Sequence, residues 1–207
     1  RFSGKSYVLP SRGQQGLPVV TINTKRIAVE VFRVGDRNLA HTVQSGDMQR
    51  QLYGDDVETL AEKTGQRVWK GEMDVATRLN EEVTTAIPVG DAIPKLEAGV
   101  YAVIASIADR KSSDEDHSDR AAQWFVVSDL GLTAFSGESG IHGFVRSLAT
   151  SDPVADAKVR LVARNNEVLG EARTDAAGHV RFSAGLKKGE GGLTPALLVA
   201  ENANGGD

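Results

Sequence analysis

No cysteine occurs anywhere in the 207 residues. That removes disulfides, cysteine nucleophiles and thiolate-bound metal from consideration, without fixing a redox compartment. A basic excess is also missing: 24 Lys and Arg stand against 28 Asp and Glu, for a net charge of -4. No cationic face follows, so no nucleic acid is expected as a partner. Long apolar runs are absent as well. One of the richest, Val100 to Ile107, falls far short of the ~20 residues that cross a bilayer as a helix, and no membrane contact by this stretch is expected. Aromatic residues are few, six Phe, three Tyr and two Trp, and most sit inside strand-like runs. A flat stacking platform for sugars is therefore not anticipated.

What is present is a series of short runs rich in Val, Ile and Thr, alternating or continuous, the mark of strands. They begin with Leu17 to Asn23 and Ile27 to Val34, where Ile27, Val29 and Val31 share one face and Asn23 to Arg26 supplies the polar turn between the runs. Gly65 to Thr77, Val83 to Val89, Val100 to Ile107 and Gln123 to Ser128 follow. In the last of these, Trp124 and Phe125 are expected on opposite faces, at least one buried. Leu130 to Phe135, Ile141 to Leu148, Ala157 to Arg164, Glu167 to Thr174, His179 to Ser183 and Ala196 to Glu201 complete the series. Met48, Leu52, Val57, Leu60 and Ala61 recur at helical spacing. Tyr53-Gly54 divides that stretch, leaving one short helix of ~10 residues from Asp55, stopped by Gly65. Asp109 to Arg120 holds no large apolar residue and reads as a solvated loop between strands.

Two turns are legible residue by residue. Asn165-Asn166 suits a hairpin, because Asn tolerates positive φ. In Thr174-Asp175-Ala176-Ala177-Gly178-His179-Val180-Arg181-Phe182, Asp175 can cap turn amides, Gly178 can take positive φ, and Val180 and Phe182 return to the core. The chain exceeds one domain of ~100–150 residues. The fold class expected is all-β: two tandem immunoglobulin-like antiparallel β-sandwich domains, residues 1–128 and 129–207, with the short helix in the first. The second supplies about six strands where a seven-stranded sandwich takes ~100 residues, so its last strand is expected to be missing. The chain starts on Arg1 and ends on Asn204-Gly205-Gly206-Asp207, and it reads as a piece of a longer secreted or periplasmic protein. The lack of a signal peptide then carries no information about export.

The order of the pieces is more specific than any single turn. Trp124-Phe125-Val126-Val127-Ser128-Asp129-Leu130-Gly131-Leu132-Thr133 precedes Gly143-Phe144-Val145-Arg146-Ser147-Leu148-Ala149-Thr150-Ser151-Asp152-Pro153-Val154, then Ala157-Lys158-Val159 and the Thr174–Phe182 turn. The first half adds Leu17-Pro18-Val19-Val20-Thr21-Ile22-Asn23-Thr24 and Val29-Glu30-Val31-Phe32-Arg33-Val34. Together these resemble consecutive macroglobulin domains from the N-terminal part of bacterial alpha-2-macroglobulins, over nearly the whole chain. The resemblance implies macroglobulin-type sandwiches in a very long periplasmic protein, exported and lipid-anchored to the inner membrane. Such a protein traps proteases: a bait segment is cleaved, the body collapses, and a thioester from a Cys-x-Glu-Gln motif bonds the protease. With no cysteine, that motif is not in these residues, and no bait segment is recognisable in them; some members of the family lack the thioester altogether, so both mechanisms stay open for the parent. The partners implied are neighbouring macroglobulin domains of the same parent chain, with proteases as targets of the full-length protein.

No catalytic, cofactor-binding or metal-binding residue is assigned, and no cofactor is expected. Asp114-Glu115-Asp116-His117-Ser118-Asp119 places several carboxylates near one another, but it lacks the sixth-position Gly and distal Glu of a calcium loop and reads as a solvated charged stretch. His41, His117, His142 and His179 show no metal-ligand spacing and read as strand or loop residues. Ser136-Gly137-Glu138-Ser139-Gly140 is a flexible turn rather than a Gly-x-Ser-x-Gly elbow. Lys187-Lys188-Gly189-Glu190-Gly191-Gly192 lacks phosphate-loop spacing, and no carboxylate pair stands out for glycoside hydrolysis. The alternative to the scaffold reading is an adhesin array of immunoglobulin-like repeats, or an accessory module of a secreted hydrolase.

Overall fold

A computed structural model describes residues 1–4, 6–10, 16–46, 48, 59–60, 65–93, 96–108 and 120–203. The chain divides into two compact units, Arg1–Gly35 with Gly46–Val127, and Asp36–Ser45 with Ser128–Asp207.

The first unit holds strands β1 (Ser6–Leu9), β2 (Gly16–Ile22), β3 (Arg26–Val34), β4 (Gly65–Asp74), β5 (Glu82–Pro88), β6 (Gly99–Ile107) and β7 (Ala121–Val127). Five of them form one sheet in the order β1-β7-β6-β3-β4, and β2 pairs with β5. The ladders are antiparallel except that β1 runs parallel to β7, with Ser6 opposite Trp124. The near-continuous apolar runs of β3, β6 and β7 have a direct cause: both faces of this sheet are covered. On one face Ile27, Val29, Val31, Tyr101, Val103, Phe125 and Val127 pack with Leu17 and Val19 of β2 and Ile87 of β5. On the other, Phe32, Val34, Ala102, Ile104, Ala122 and Trp124 pack with Leu60 and partly buried Met48. Trp124 and Phe125 are 2% and 0% exposed and point to opposite faces, as their adjacency in a strand requires. The shared face expected for Ile27, Val29 and Val31 is the one found. Asn23, at φ 50°, turns the chain out of β2. Its side chain both donates to the Asn80 side chain and accepts the Asn80 amide, at 2.9 and 2.7 Å.

The second unit holds β8 (Leu130–Gly137), β9 (Gly140–Ser147), β10 (Lys158–Ala163), β11 (Val168–Arg173), β12 (His179–Ser183) and β13 (Pro195–Glu201). These six strands are the six runs read from this half of the sequence. They form two antiparallel sheets, β11-β10-β13 and β12-β9-β8, closed over a core of Ile141, Val145, Ala157, Val159, Leu161, Val180 and Phe182. Both turns behave as expected. Asn166 has φ 72°, and Gly178 has φ 72° with Val145 O only 2.4 Å from where a Cβ would stand. Asp175 accepts the amides of Ala177 and His179, each at 2.9 Å. Thr174 is buried because its hydroxyl donates to Val154 O and accepts the Ala157 amide, tying the turn to the start of β10.

One helix of full length is described, α1 (Asp36–Gln44), followed by Gly46 at φ 75°. It groups with the second unit and meets β13. A single turn, α2 (Val89–Ala92), follows β5. The helix expected from Asp55 lies outside the described residues apart from Thr59 and Leu60, and so does the loop expected at Asp109 to Arg120, apart from Arg120.

Candidate functional site

The outer face of the β12-β9-β8 sheet collects most of the chemistry of the second unit. Along β9, Ile141 and Val145 face the core, so the period of two turns His142, Phe144 and Arg146 outward. Along β12, Val180 and Phe182 face the core, which turns His179 and Arg181 outward. Register sets His179 opposite Phe144 and Arg181 opposite His142, while Phe135 of β8 stands opposite His142 on the other side. The result is a row of rings across three strands. Phe135, 60% exposed, meets Phe144 edge-on at 6.1 Å between centroids. Phe144 lies tilted on His179 at 4.8 Å.

His142 Nδ1 is 2.9 Å from His179 Nε2, with ring centroids 5.2 Å apart and planes 16° apart. Both nitrogens therefore lie between the centroids, and the imidazoles meet edge to edge. The outer nitrogen of His142 is also held, and that of His179 faces a carboxylate beyond hydrogen-bond length. His142 Nε2 is 2.8 Å from Ser139 Oγ, and His179 Nδ1 is 3.8 Å from Asp175 Oδ2. The Asp175 carboxyl is held below the ordinary aspartate range, above all by the His179 amide it accepts; desolvation opposes this, and the Ala177 amide and the nearby His179 ring add to the lowering. Ser139 is fixed from below. Arg181 donates to its carbonyl through Nε and Nη2, and Lys187 Nζ donates to Gly137 O. Gly140, at φ 127°, lets the hairpin approach Phe182 O, which stands 2.0 Å from where a Cβ would be.

The Ser136–Gly140 turn is thus a braced hairpin. The Lys187–Gly192 stretch forms two short 3₁₀ turns, Ala184–Lys188 and Gly191–Leu193. His41 is exposed on α1, whereas Asp114 to Asp119, with His117, lies outside the described residues. Among the described residues no group of three or more His, Asp or Glu is disposed to hold a metal. The pairing of His142 with His179 had no signal in the spacing, because strand register creates it across 37 positions. Two concave surfaces also occur. One of about 480 Å³ in the first unit is lined by Val20, Ile22, Ile27 and Ile107, with Glu82 and Arg120 at its border. One of about 430 Å³ in the second lies between β8 and β13, against Phe135, Ile141, Leu161 and Leu197.

Residues 1–116 match the bacterial alpha-2-macroglobulin MG2 domain family, and residues 127–207 match the bacterial alpha-2-macroglobulin MG3 domain family. Alpha-2-macroglobulin of Escherichia coli is 27% identical over 199 residues, covering 96% of this chain and 11% of that protein. An alpha-2-macroglobulin homolog of Yersinia pestis is 36% identical over 103 residues, covering 44% of this chain. Trypsin-activated E. coli alpha-2-macroglobulin superposes with a TM-score of 0.78 at 25% identity, over 100% of this chain and 13% of that one. The native E. coli protein spanning domains NIE-MG1 gives 0.71 at 24% identity, over 99% of this chain and 92% of that one. The chain spans about a tenth of the length of the curated relatives it matches (11% and 12% for the first two). Homologous stretches are pieces of much larger multidomain chains, and the open, mostly β architecture described above is that of their immunoglobulin-like macroglobulin domains. Two different domain families of one parent thus lie in tandem along these residues, and the chain belongs to the bacterial alpha-2-macroglobulin family.

Proposed function

We propose that the chain forms two non-catalytic scaffold domains, residues 1–128 and 129–207, of a bacterial alpha-2-macroglobulin that traps proteases in the periplasm. The observation that carries this reading is the tandem match of two distinct macroglobulin domain families to consecutive stretches. A trap that responds to cleavage must displace whole domains, and it needs rigid, separately folded sandwiches to transmit the movement. Two cores of the kind described here suit that work. One solved relative is named as trypsin-activated, which supports a protease as the trigger in the parent protein. A thioester cysteine has no place in this cysteine-free stretch, so any covalent capture belongs to other parts of the parent. The parent is exported and lipid-anchored to the inner membrane on this reading, with neighbouring macroglobulin domains as the immediate partners of these two.

The test is inhibition by the isolated chain. Trypsin and elastase are incubated with an excess of the 207 residues, and cleavage of a large protein substrate is followed. Unchanged cleavage is expected. Stoichiometric protection of the substrate would place a complete inhibitory device inside these residues and overturn the scaffold reading.

A further inference from the structure

We propose that His142 and His179 together chelate one divalent transition-metal cation of borderline softness, Zn²⁺ or Ni²⁺, on the outer face of the β12-β9-β8 sheet. Two imidazole nitrogens from different strands converge within 2.9 Å. At the ~2.0–2.1 Å length of a Zn–N bond, nitrogens this far apart subtend roughly 90° at the ion, the angle between neighbouring ligands of an octahedral ion. The roughly 109° of a tetrahedral ion needs them only about 0.4–0.5 Å further apart. Each ring must pivot so that its lone pair meets the ion, and both sit on the outer face of their sheet, outside the core.

The second observation is independent of the convergence. A metal-binding imidazole needs its other nitrogen held by an oxygen, which fixes the tautomer and raises its donor strength. His142 has that partner, with Ser139 Oγ 2.8 Å from its Nε2, while the Asp175 carboxylate stands 3.8 Å from His179 Nδ1, beyond hydrogen-bond length and within the reach of a small rotation of the ring. Asp175 is immobilised by two amides. In the tautomer of His179 with its proton on Nδ1, toward that carboxylate, Nε2 is left as a lone pair. In that arrangement, without metal, His142 donates from Nδ1 to the lone pair and accepts from the Ser139 hydroxyl. With metal, the His142 proton moves from Nδ1 to Nε2, where it donates to Ser139 Oγ, and the freed Nδ1 joins His179 Nε2 on the ion. The number of protons on the pair is unchanged. Phe144 against His179 shields one side of that ring from competing water.

Two nitrogens, with no third ligand among the described residues, leave the remaining positions to water. The affinity is therefore that of a half-built site, and hard cations that want oxygen gain nothing. Isothermal titration of the untagged 207-residue chain with ZnCl₂ and NiCl₂ should give one equivalent with a dissociation constant of roughly 1–100 μM, and no heat with CaCl₂ or MgCl₂. His142→Gln and His179→Gln should each weaken binding at least ~10-fold, Asp175→Asn by about 3–10-fold, and His41→Gln not at all. On the unsubstituted protein, Zn²⁺ should block carbethoxylation of His142 and His179 but not of His41, read by mass spectrometry of peptides. This readout holds even if a variant unfolds. Absence of binding up to 1 mM Zn²⁺, an affinity unchanged from the parent in either histidine variant, or protection of His41 in their place would each overturn the proposal.

Discussion

Asp175 shows how much a single exposed side chain contributes when geometry aims it. Its carboxylate accepts the amides of Ala177 and His179, so the fold prefers the charged form and depresses its pKa. The sign follows by linkage. The unfolded chain binds the proton more readily, so the stabilisation is complete above about pH 4, the ordinary aspartate value, and disappears as pH falls through the lower folded value. Asp175→Asn, which keeps the shape and removes the charge, should be less stable than the parent at pH 6 by an amount constant down to about pH 4 and shrinking below it. Urea midpoints of both proteins across pH 2 to 7 test this, and a gap that survives undiminished at pH 2 would assign the effect to something other than charge. Asp175, Gly178 and Asn166 were legible in the sequence because each acts within its own turn. His142 and His179 were not legible as a pair, because neither residue carries a local mark of its neighbour on the next strand.

The strand β7 is the element on which the first unit turns. It lies between β1 and β6 and presents Phe125 and Val127 to one core, and Ala122 and Trp124 to the other. Phe125 also stacks on Tyr101 at 5.2 Å. Truncating Phe125 or Trp124 to Ala should each cost about 3–5 kcal/mol. Trp124→Phe should cost clearly less than Trp124→Ala, because the buried indole N–H has no acceptor to lose among the described residues. Guanidinium midpoints followed by circular dichroism check both statements, and a Trp124→Ala variant as stable as the parent would show that the second face carries no core. All the expected strand runs appear, because a half- or fully buried strand writes its period into the sequence. Two elements left too little pattern. β1 contributes four residues and pairs in parallel with a strand more than a hundred positions away. In α1 only Leu39, Ala40 and Val43 are apolar, too few for a helical stripe to stand out from a polar loop.

For the whole molecule, the division into units does not follow the chain strictly, since α1 leaves its flanking sequence to group with the second sandwich. A chain cut to residues 128–207 should therefore fold but melt lower than the same unit in the full chain, by about 4–8 °C for each kcal/mol that α1 contributes. Differential scanning calorimetry of both proteins measures this, and equal midpoints would mean that α1 adds nothing to its host. Family and fold were legible from the order of the pieces along the sequence, but this exchange of a helix was not, since it depends on a meeting of residues far apart in the chain. The same exchange sets a schedule for biosynthesis. The last residue of α1 precedes the first of β13 by about 150 positions, and at ~5–20 residues per second the ribosome needs about 8–30 s to cross that interval. During that time the nine residues of α1, too few to hold a helix by themselves, wait without their partner strand, and β1 waits similarly for β7.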